Sequence, residues 1–230
     1  ESNIFSIREY TKDHHELLGA HHFTYDLVLN GDGTEHYMVM GFNPGEQGSY
    51  EICDGPTEET SEYDFFEEHG ENKNRSSTEW SNFARYLLGH KGNIVMTNFF
   101  LWSSEGITKK FTERFGYSYF SSKNKHLDFC MEMNLSLIEI YKPKLIIVPG
   151  ISLTELAPVY NFGNPLEIKY DHRKRARLIE RYDYQGIPII FTKHWTAQYG
   201  LTKEEKVEVK EYLEDYSVAS LYMQGGLVNL

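Results

Sequence analysis

The chain has only two cysteines in 230 residues, Cys53 and Cys130. Their spacing fits neither a metal site nor a disulfide framework, so a reducing, cytoplasmic setting is expected. It has no run of 18 or more apolar residues, which removes a membrane-spanning helix from the expectation. No secretory leader, internal repeat or low-complexity tract is visible. The phosphate-cradling turn G-x-G-x-x-G is missing too, which argues against a Rossmann nucleotide enzyme. Positive charge is scarce: 23 Lys and Arg stand against 34 Asp and Glu, a formal net charge of −11. A body of that sign does not cling unspecifically to nucleic acid or anionic membrane, although a local basic strip on it remains compatible with specific binding.

What is abundant is apolar and aromatic. Hydrophobic residues make up 40 % of the chain, with 17 Tyr and 14 Phe. That composition, at this length, predicts one globular domain over residues 1–230 with a sizeable core.

The organising stretch is Tyr37-Met38-Val39-Met40-Gly41-Phe42-Asn43-Pro44-Gly45. Four consecutive apolar residues read as a buried parallel strand. Gly41 and Pro44-Gly45 then force a turn that presents Asn43 at the strand's carboxyl end, where open α/β sheets bind ligands. Ile94–Thr97 and Leu145–Val148 read as further buried strands, and Leu178–Tyr184 with Ile187–Thr192 as a pair around Gln185-Gly186. Phe23–Leu29 and Tyr37–Met40 are expected to form a hairpin around Asn30–Gly33. Helices are expected over residues 4–18, from a Ser76/Glu79 capping box to Gly89, over Leu127–Tyr141, from a Ser152/Glu155 box, and from a Thr202/Glu205 box to about Tyr216. Residues 160–176 read as a loop, and the acidic stretch 46–75 as a solvated insertion. The alternation of strands and helices predicts a three-layer α/β/α sandwich. Its central sheet would have about four mostly parallel strands, with hairpin strands at the edge.

Three strands end in a polar side chain: Asn43, Asn98 and His194. A carboxamide offers a donor and an acceptor side by side, which matches the edge of a nucleobase. An imidazole can donate to an oxygen that is gaining negative charge. Each residue alone is an ordinary turn former or structural histidine; the set is what carries chemistry. The paired histidines His14-His15 and His21-His22 lack the separated, one-face geometry of a zinc site and read as a solvated turn.

With these residues in view, the chain resembles the uracil-DNA glycosylase superfamily. The resemblance rests on Gly41-Phe42-Asn43-Pro44-Gly45, Thr97-Asn98, Lys142–Leu145 with Pro149-Gly150, and Lys193-His194-Trp195-Thr196, spread over about residues 37–200. The first motif is similar to that of the mismatch-specific and single-strand-selective branches. The resemblance implies that Asn43 orients the hydrolytic water and that Asn98 reads a flipped base. His194 would stabilise the base leaving as an anion. Phe42, Gly45 and a stacking aromatic, Phe66 or its neighbour Phe65 with Tyr50 as a rival, would line the base site. Arg173, Lys174 and Arg175 would meet DNA phosphates, or else form a charged hairpin shoulder. Trp195, Gln198 and Tyr199 would wedge into the base stack, or else pack under the last helix, and Thr196, which keeps the motif's hydroxyl, would contact DNA. No metal or cofactor is implied, and two cysteines cannot hold the iron–sulfur cluster of some branches. The chain departs from the usual His-Pro-Ser third motif, having Trp195 where proline is expected. The implied activity is monofunctional excision of a pyrimidine by a monomer, in repair or in defence against phage DNA. The competing expectation is a degenerate relative that binds DNA or protein without cleavage.

Overall fold

A computed structural model describes residues 2–14, 23–42, 58–59, 83–89, 92–102, 125–173, 175–195 and 200–223, and the side chains of the last helix as far as residue 214. The elements in chain order are helix α1 (Ser2–Asp13), strands β1 (Phe23–Thr24), β2 (Leu27–Leu29), β3 (Glu35–Gly41) and β4 (Glu58–Glu59), helix α2 (83–88), β5 (Gly92–Asn98), and helix α3 (Lys125–Tyr141). They continue with β6 (Ile146–Pro149), a 3₁₀ turn (Ile151–Leu156), β7 (Glu167–Tyr170), β8 (Arg177–Tyr184), β9 (Ile187–Thr192) and helix α4 (Lys203–Met223).

Seven strands form one mixed sheet in the order β2-β5-β3-β6-β9-β8-β7. Its four central strands, β5-β3-β6-β9, run parallel and helices flank the sheet, so the chain has the α/β class that its strand pattern predicts. The central strands carry apolar runs where both faces are covered; Met38–Met40, Ile94–Val95, Ile146–Val148 and Ile189–Phe191 are all buried. Val39 is paired with Ile147, and Ile147 with Ile190.

Four expectations change. The hairpin between 23–29 and 37–40 is not formed, since β5 lies between β2 and β3. The loop that would have turned the hairpin is held by other partners. Asn93 accepts from the Gly31 backbone N–H at 2.9 Å, and the Arg85 guanidinium donates to the carbonyls of Leu29, Asn30 and Gly92. Gly92 makes room for the Tyr37 ring: a Cβ there would come within 2.7 Å of it. The strand read over Phe23–Leu29 also breaks at Tyr25. Its buried hydroxyl donates to the Met133 carbonyl and accepts from Asn3, while β1 pairs in parallel with β4, inside the acidic insertion. Ser152 caps nothing: the segment is a six-residue 3₁₀ turn with Gly150 at its N-cap and no side-chain cap. Finally, residues 160–176 contain strand β7 at the sheet edge.

Other local signals are realised as the sequence predicts. Gln185 and Gly186 both take positive φ, 54° and 85°, as a two-residue turn between twisted strands requires. Thr202 and Glu205 make a reciprocal capping box, Thr202 N–H to Glu205 Oε2 at 2.9 Å and Glu205 N–H to Thr202 Oγ1 at 3.2 Å. The part of the α2 box at Ser76 and Glu79 lies outside the described residues.

By contact density the chain divides into two compact units, residues 1–28, 40–63 and 95–142 in one and 29–39, 64–94 and 143–230 in the other. In the first, Tyr10 of α1 stacks on Phe129 of α3 with ring centroids 3.9 Å apart, over the buried Trp102. In the second, the antiparallel β7–β8–β9 ladder packs its β7–β8 end against Tyr212 of α4.

Candidate functional site

In the first unit the site-bearing ends are those of β3 and β5. The ladder between them continues past the strands: Phe99 N–H donates to the Gly41 carbonyl and Phe100 N–H to that of Phe42, both at 2.9 Å. Behind this pair Phe99, Phe100, Leu101 and Trp102 are all fully buried. The apolar run after Asn98 is therefore an anchor that fixes where Asn98 stands. Asn134 of α3, itself fully buried, completes the fixing. Its Nδ2 donates to the Asn98 carbonyl at 2.8 Å, and its Oδ1 accepts from Thr97 Oγ1 at 3.0 Å.

The Asn98 side chain is left to project over β3. A Cβ added to Gly41 would lie 2.5 Å from Asn98 Oδ1, far inside van der Waals contact. Gly41 is thus the space the carboxamide occupies. Among the described residues the carboxamide has no hydrogen-bond partner of its own. Phe42, next to Gly41 in sequence, is half-buried; Asn43, Gly45 and Phe66 lie outside the described residues.

In the second unit His194 follows β9. Burial lowers its basicity below the ordinary histidine range, so the ring is neutral at pH 7 and carries one N–H and one acceptor nitrogen. Its neighbours are pinned on both sides. Thr192 Oγ1 donates to the Lys193 carbonyl at 2.9 Å and accepts from Trp195 Nε1 at 3.1 Å. Lys193 Nζ meets Glu205 Oε1 at 2.5 Å and Asp171 Oδ2 at 3.9 Å. The His194 carbonyl accepts from Leu201 N–H at 3.0 Å. Trp195 is 1 % exposed and lies against Phe83 of α2, with ring centroids 4.9 Å apart. This corrects the expectation that Trp195 enters a base stack: the tryptophan in place of proline is a core anchor for the histidine loop. Thr196, Gln198 and Tyr199 lie outside the described residues.

The basic turn between β7 and β8 is tied to the same loop. Asp171 Oδ1 accepts from the Arg175 backbone N–H at 2.8 Å, which holds its carboxyl below the usual range, with Lys193 acting in the same direction. Lys193 N–H in turn donates to the Leu178 carbonyl at 3.1 Å. Arg173 and Arg175 are exposed on this turn, with Arg173 Nε donating to His172 at 3.2 Å; Lys174 lies outside the described residues. Arg177 is spoken for by an ion pair with the buried Glu180.

Two positioning residues, Asn134 and Asp171, carry no motif, and a third, Glu205, is legible only as the acid of the Thr202 capping box. Asn134 interrupts an apolar helix face made of Cys130, Met133 and Leu137, and a polar residue on such a face is the one signal that marks it. Asp171 and Glu205 are acids that look solvated in sequence and are only 11 % and 3 % exposed in their side chains. Among the described residues no group of three His, Cys, Asp or Glu stands ready for a metal ion, and no helix is long and apolar enough to cross a membrane. His14 is exposed and stacks on Tyr10, and its paired partners lie outside the described residues. No protein-family model matches the chain, and no curated protein matches it.

Proposed function

We propose that the protein is a monofunctional DNA glycosylase. It would take a flipped pyrimidine, break its N-glycosidic bond and leave an abasic site. The observation that carries this reading is the Asn98 carboxamide, held at the end of β5 by Asn134 and given its space by Gly41. A buried main-chain clamp behind a projecting donor–acceptor pair is how a site reads a planar polar edge. Its discrimination comes from the cost of leaving such groups unpaired. The fold supports the reading, because ligands of open α/β sheets bind beyond the carboxyl ends of parallel strands.

The steps follow from the residue chemistry. The bond between the sugar C1′ and the base nitrogen breaks with its electrons leaving on the base. His194, neutral by burial, donates its N–H to a pyrimidine oxygen as negative charge develops there; one such placed donor is worth about 3–4 kcal/mol. Water, oriented by Asn43, attacks C1′, and the proton it sheds as the sugar hydroxyl forms neutralises the departed base anion. An amide does not titrate usefully, so Asn43 orients and does not deprotonate, which makes the enzyme slower than one with a carboxylate there. Arg173 and Arg175, on a turn tethered through Asp171 to the lysine preceding His194, contact phosphates. Repair and defence against modified phage DNA are the two settings such an activity serves.

Substrate choice is assigned to Gly45. A residue without a side chain after the first-motif proline leaves the C5 face of the pyrimidine open to hydroxymethyl or larger groups. Release rates for uracil and C5-substituted pyrimidines should be comparable in the wild type, and Gly45→Tyr should lose the C5-substituted substrates selectively. Equal loss of both classes, or a wild type restricted to uracil, contradicts the open C5 face.

One observation favours a second reading, a binder without cleavage: the middle of the third motif is core rather than surface. Such a protein would hold DNA containing the base and release none of it.

A further inference from the structure

Strand β7 ends the seven-stranded sheet: one side is hydrogen-bonded to β8, and no strand covers the other among the described residues. An open edge is a template for another strand, and proteins usually blunt it with charge or cover it. Here the edge carries Leu166, Ile168 and Tyr170, which are 59 %, 41 % and 51 % exposed. They alternate in sequence, so they stand on one face of the strand. The intervening Glu167 and Lys169 stand on the other, where Tyr212 donates to Glu167 at 2.7 Å and Lys169 sits over the Tyr212 ring at 4.3 Å.

The order Leu166-Glu167-Ile168-Lys169-Tyr170 is complementary to itself. In an antiparallel pair centred on Ile168, Ile168 meets its own copy and each Glu167 faces the other chain's Lys169. Each Leu166 then faces the other chain's Tyr170. Every apolar side chain meets an apolar one on one face, and both charged pairs are of opposite sign on the other. No other register centred on a β7 residue does both: centring on Glu167 or Lys169 sets like charges opposite each other. A twofold contact requires this kind of self-complementary patch.

We propose that β7 is a homodimerisation edge, at which two copies join their sheets antiparallel about Ile168. The lysine that would blunt the edge against strangers is answered by the glutamate two residues before it only in a second copy of the same strand. This replaces the monomer that the family resemblance implies, and it does not depend on what the protein binds or cleaves. Five residues a side bury less than the ~1,200 Å² usual for stable complexes, so the dimer is of the concentration-dependent kind.

The test is sedimentation of the full chain from micromolar to near-millimolar concentration, with circular dichroism as the check on folding. The wild type should shift from monomer to dimer over that range. Ile168→Lys and Lys169→Glu should each hold the chain monomeric while folded, the second by setting Glu167 opposite a new acid. The double exchange Glu167→Lys with Lys169→Glu restores opposite charges across the axis and should restore the dimer. A wild type that stays monomeric throughout overturns the proposal. So does a dimer that both single variants leave intact, or a charge exchange that fails to rescue a folded variant.

Discussion

The most exposed prediction at the scale of single residues belongs to Gly41. Its φ is not one that demands glycine, so Gly41→Ala strains nothing in the backbone; the added methyl crowds the end of the Asn98 side chain, at 2.5 Å, and meets the Thr97 carbonyl at an ordinary 3.8 Å. Moving a carboxamide aside is cheap for folding, so stability should change by less than about 1 kcal/mol, the scale of an ordinary substitution. If Asn98 reads the base, the same methyl should lower kcat/KM for base release by about tenfold or more, since about 1.4 kcal/mol of lost orientation suffices. Thermal unfolding and single-turnover kinetics on one preparation separate the two effects. A variant as active as the wild type would remove Asn98 from the site. His126 makes a second, independent case. It is buried beside Tyr10, whose hydroxyl lies 2.9 Å from Nδ1, and burial, with His14 adding, lowers its pKa to about 4. The unfolded chain binds that proton near pH 6.5, so between about pH 4 and 6.5 it holds more protons than the native state. The stabilisation from keeping His126 neutral is therefore full above about pH 6.5 and is lost as pH falls towards 4, by about 3 kcal/mol. Urea unfolding at pH 7 and pH 4.5 should show this loss in the wild type. His126→Gln, which has no such proton to take up, should lose about that much less; parallel losses in both would contradict it.

Among the elements, α3 does more than cover the sheet. Replacing Asn134 with Leu keeps the shape of its helix face but strands the Thr97 hydroxyl and the Asn98 carbonyl without the clamp. A buried group left unpaired costs about 1–3 kcal/mol, and chemical denaturation should show a loss of that size; an unchanged midpoint would mean that the clamp is not needed. The elements also show where sequence is legible. β3, β6 and β9 each hold three or more consecutive buried apolar residues and β5 holds the buried pair Ile94-Val95, and burial on both faces writes itself as an apolar run. The Thr202/Glu205 box and the Gln185-Gly186 turn are legible because their chemistry is local. The β2–β3 hairpin is misread because what separates those strands, β5, arrives some sixty residues later, and a Gly-rich turn cannot announce it. β7 is missed because an edge strand keeps polar residues and exposes its apolar ones, so Glu-Ile-Lys-Tyr reads as loop. Ser152/Glu155 has the spacing of a cap without a helix long enough to need one. In the candidate site the strand ends are legible, while the supports of Asn98 and His194 are not. Asn134 and Asp171 reach their partners through tertiary packing that leaves no spacing pattern, and Glu205, legible as a cap, shows nothing in sequence of its ion pair with Lys193.

For the whole molecule, a net charge of −11 and a small basic turn at Arg173 and Arg175 fit a protein that engages DNA locally rather than coating it. The central claim is that such a protein removes a base, and one measurement bears on it most directly. Oligonucleotides carrying uracil or a C5-substituted pyrimidine are incubated with the wild type, with Asn43→Ala and with His194→Ala; released base is identified by mass spectrometry, and DNA binding is followed in parallel. The account predicts free pyrimidine and an alkali-labile site with the wild type. Both variants should bind with nearly unchanged affinity, and His194→Ala should release base about 10²–10³-fold more slowly, as expected for the loss of one placed donor. DNA bound by the wild type with no pyrimidine released from any substrate, or release that survives both substitutions, would contradict it.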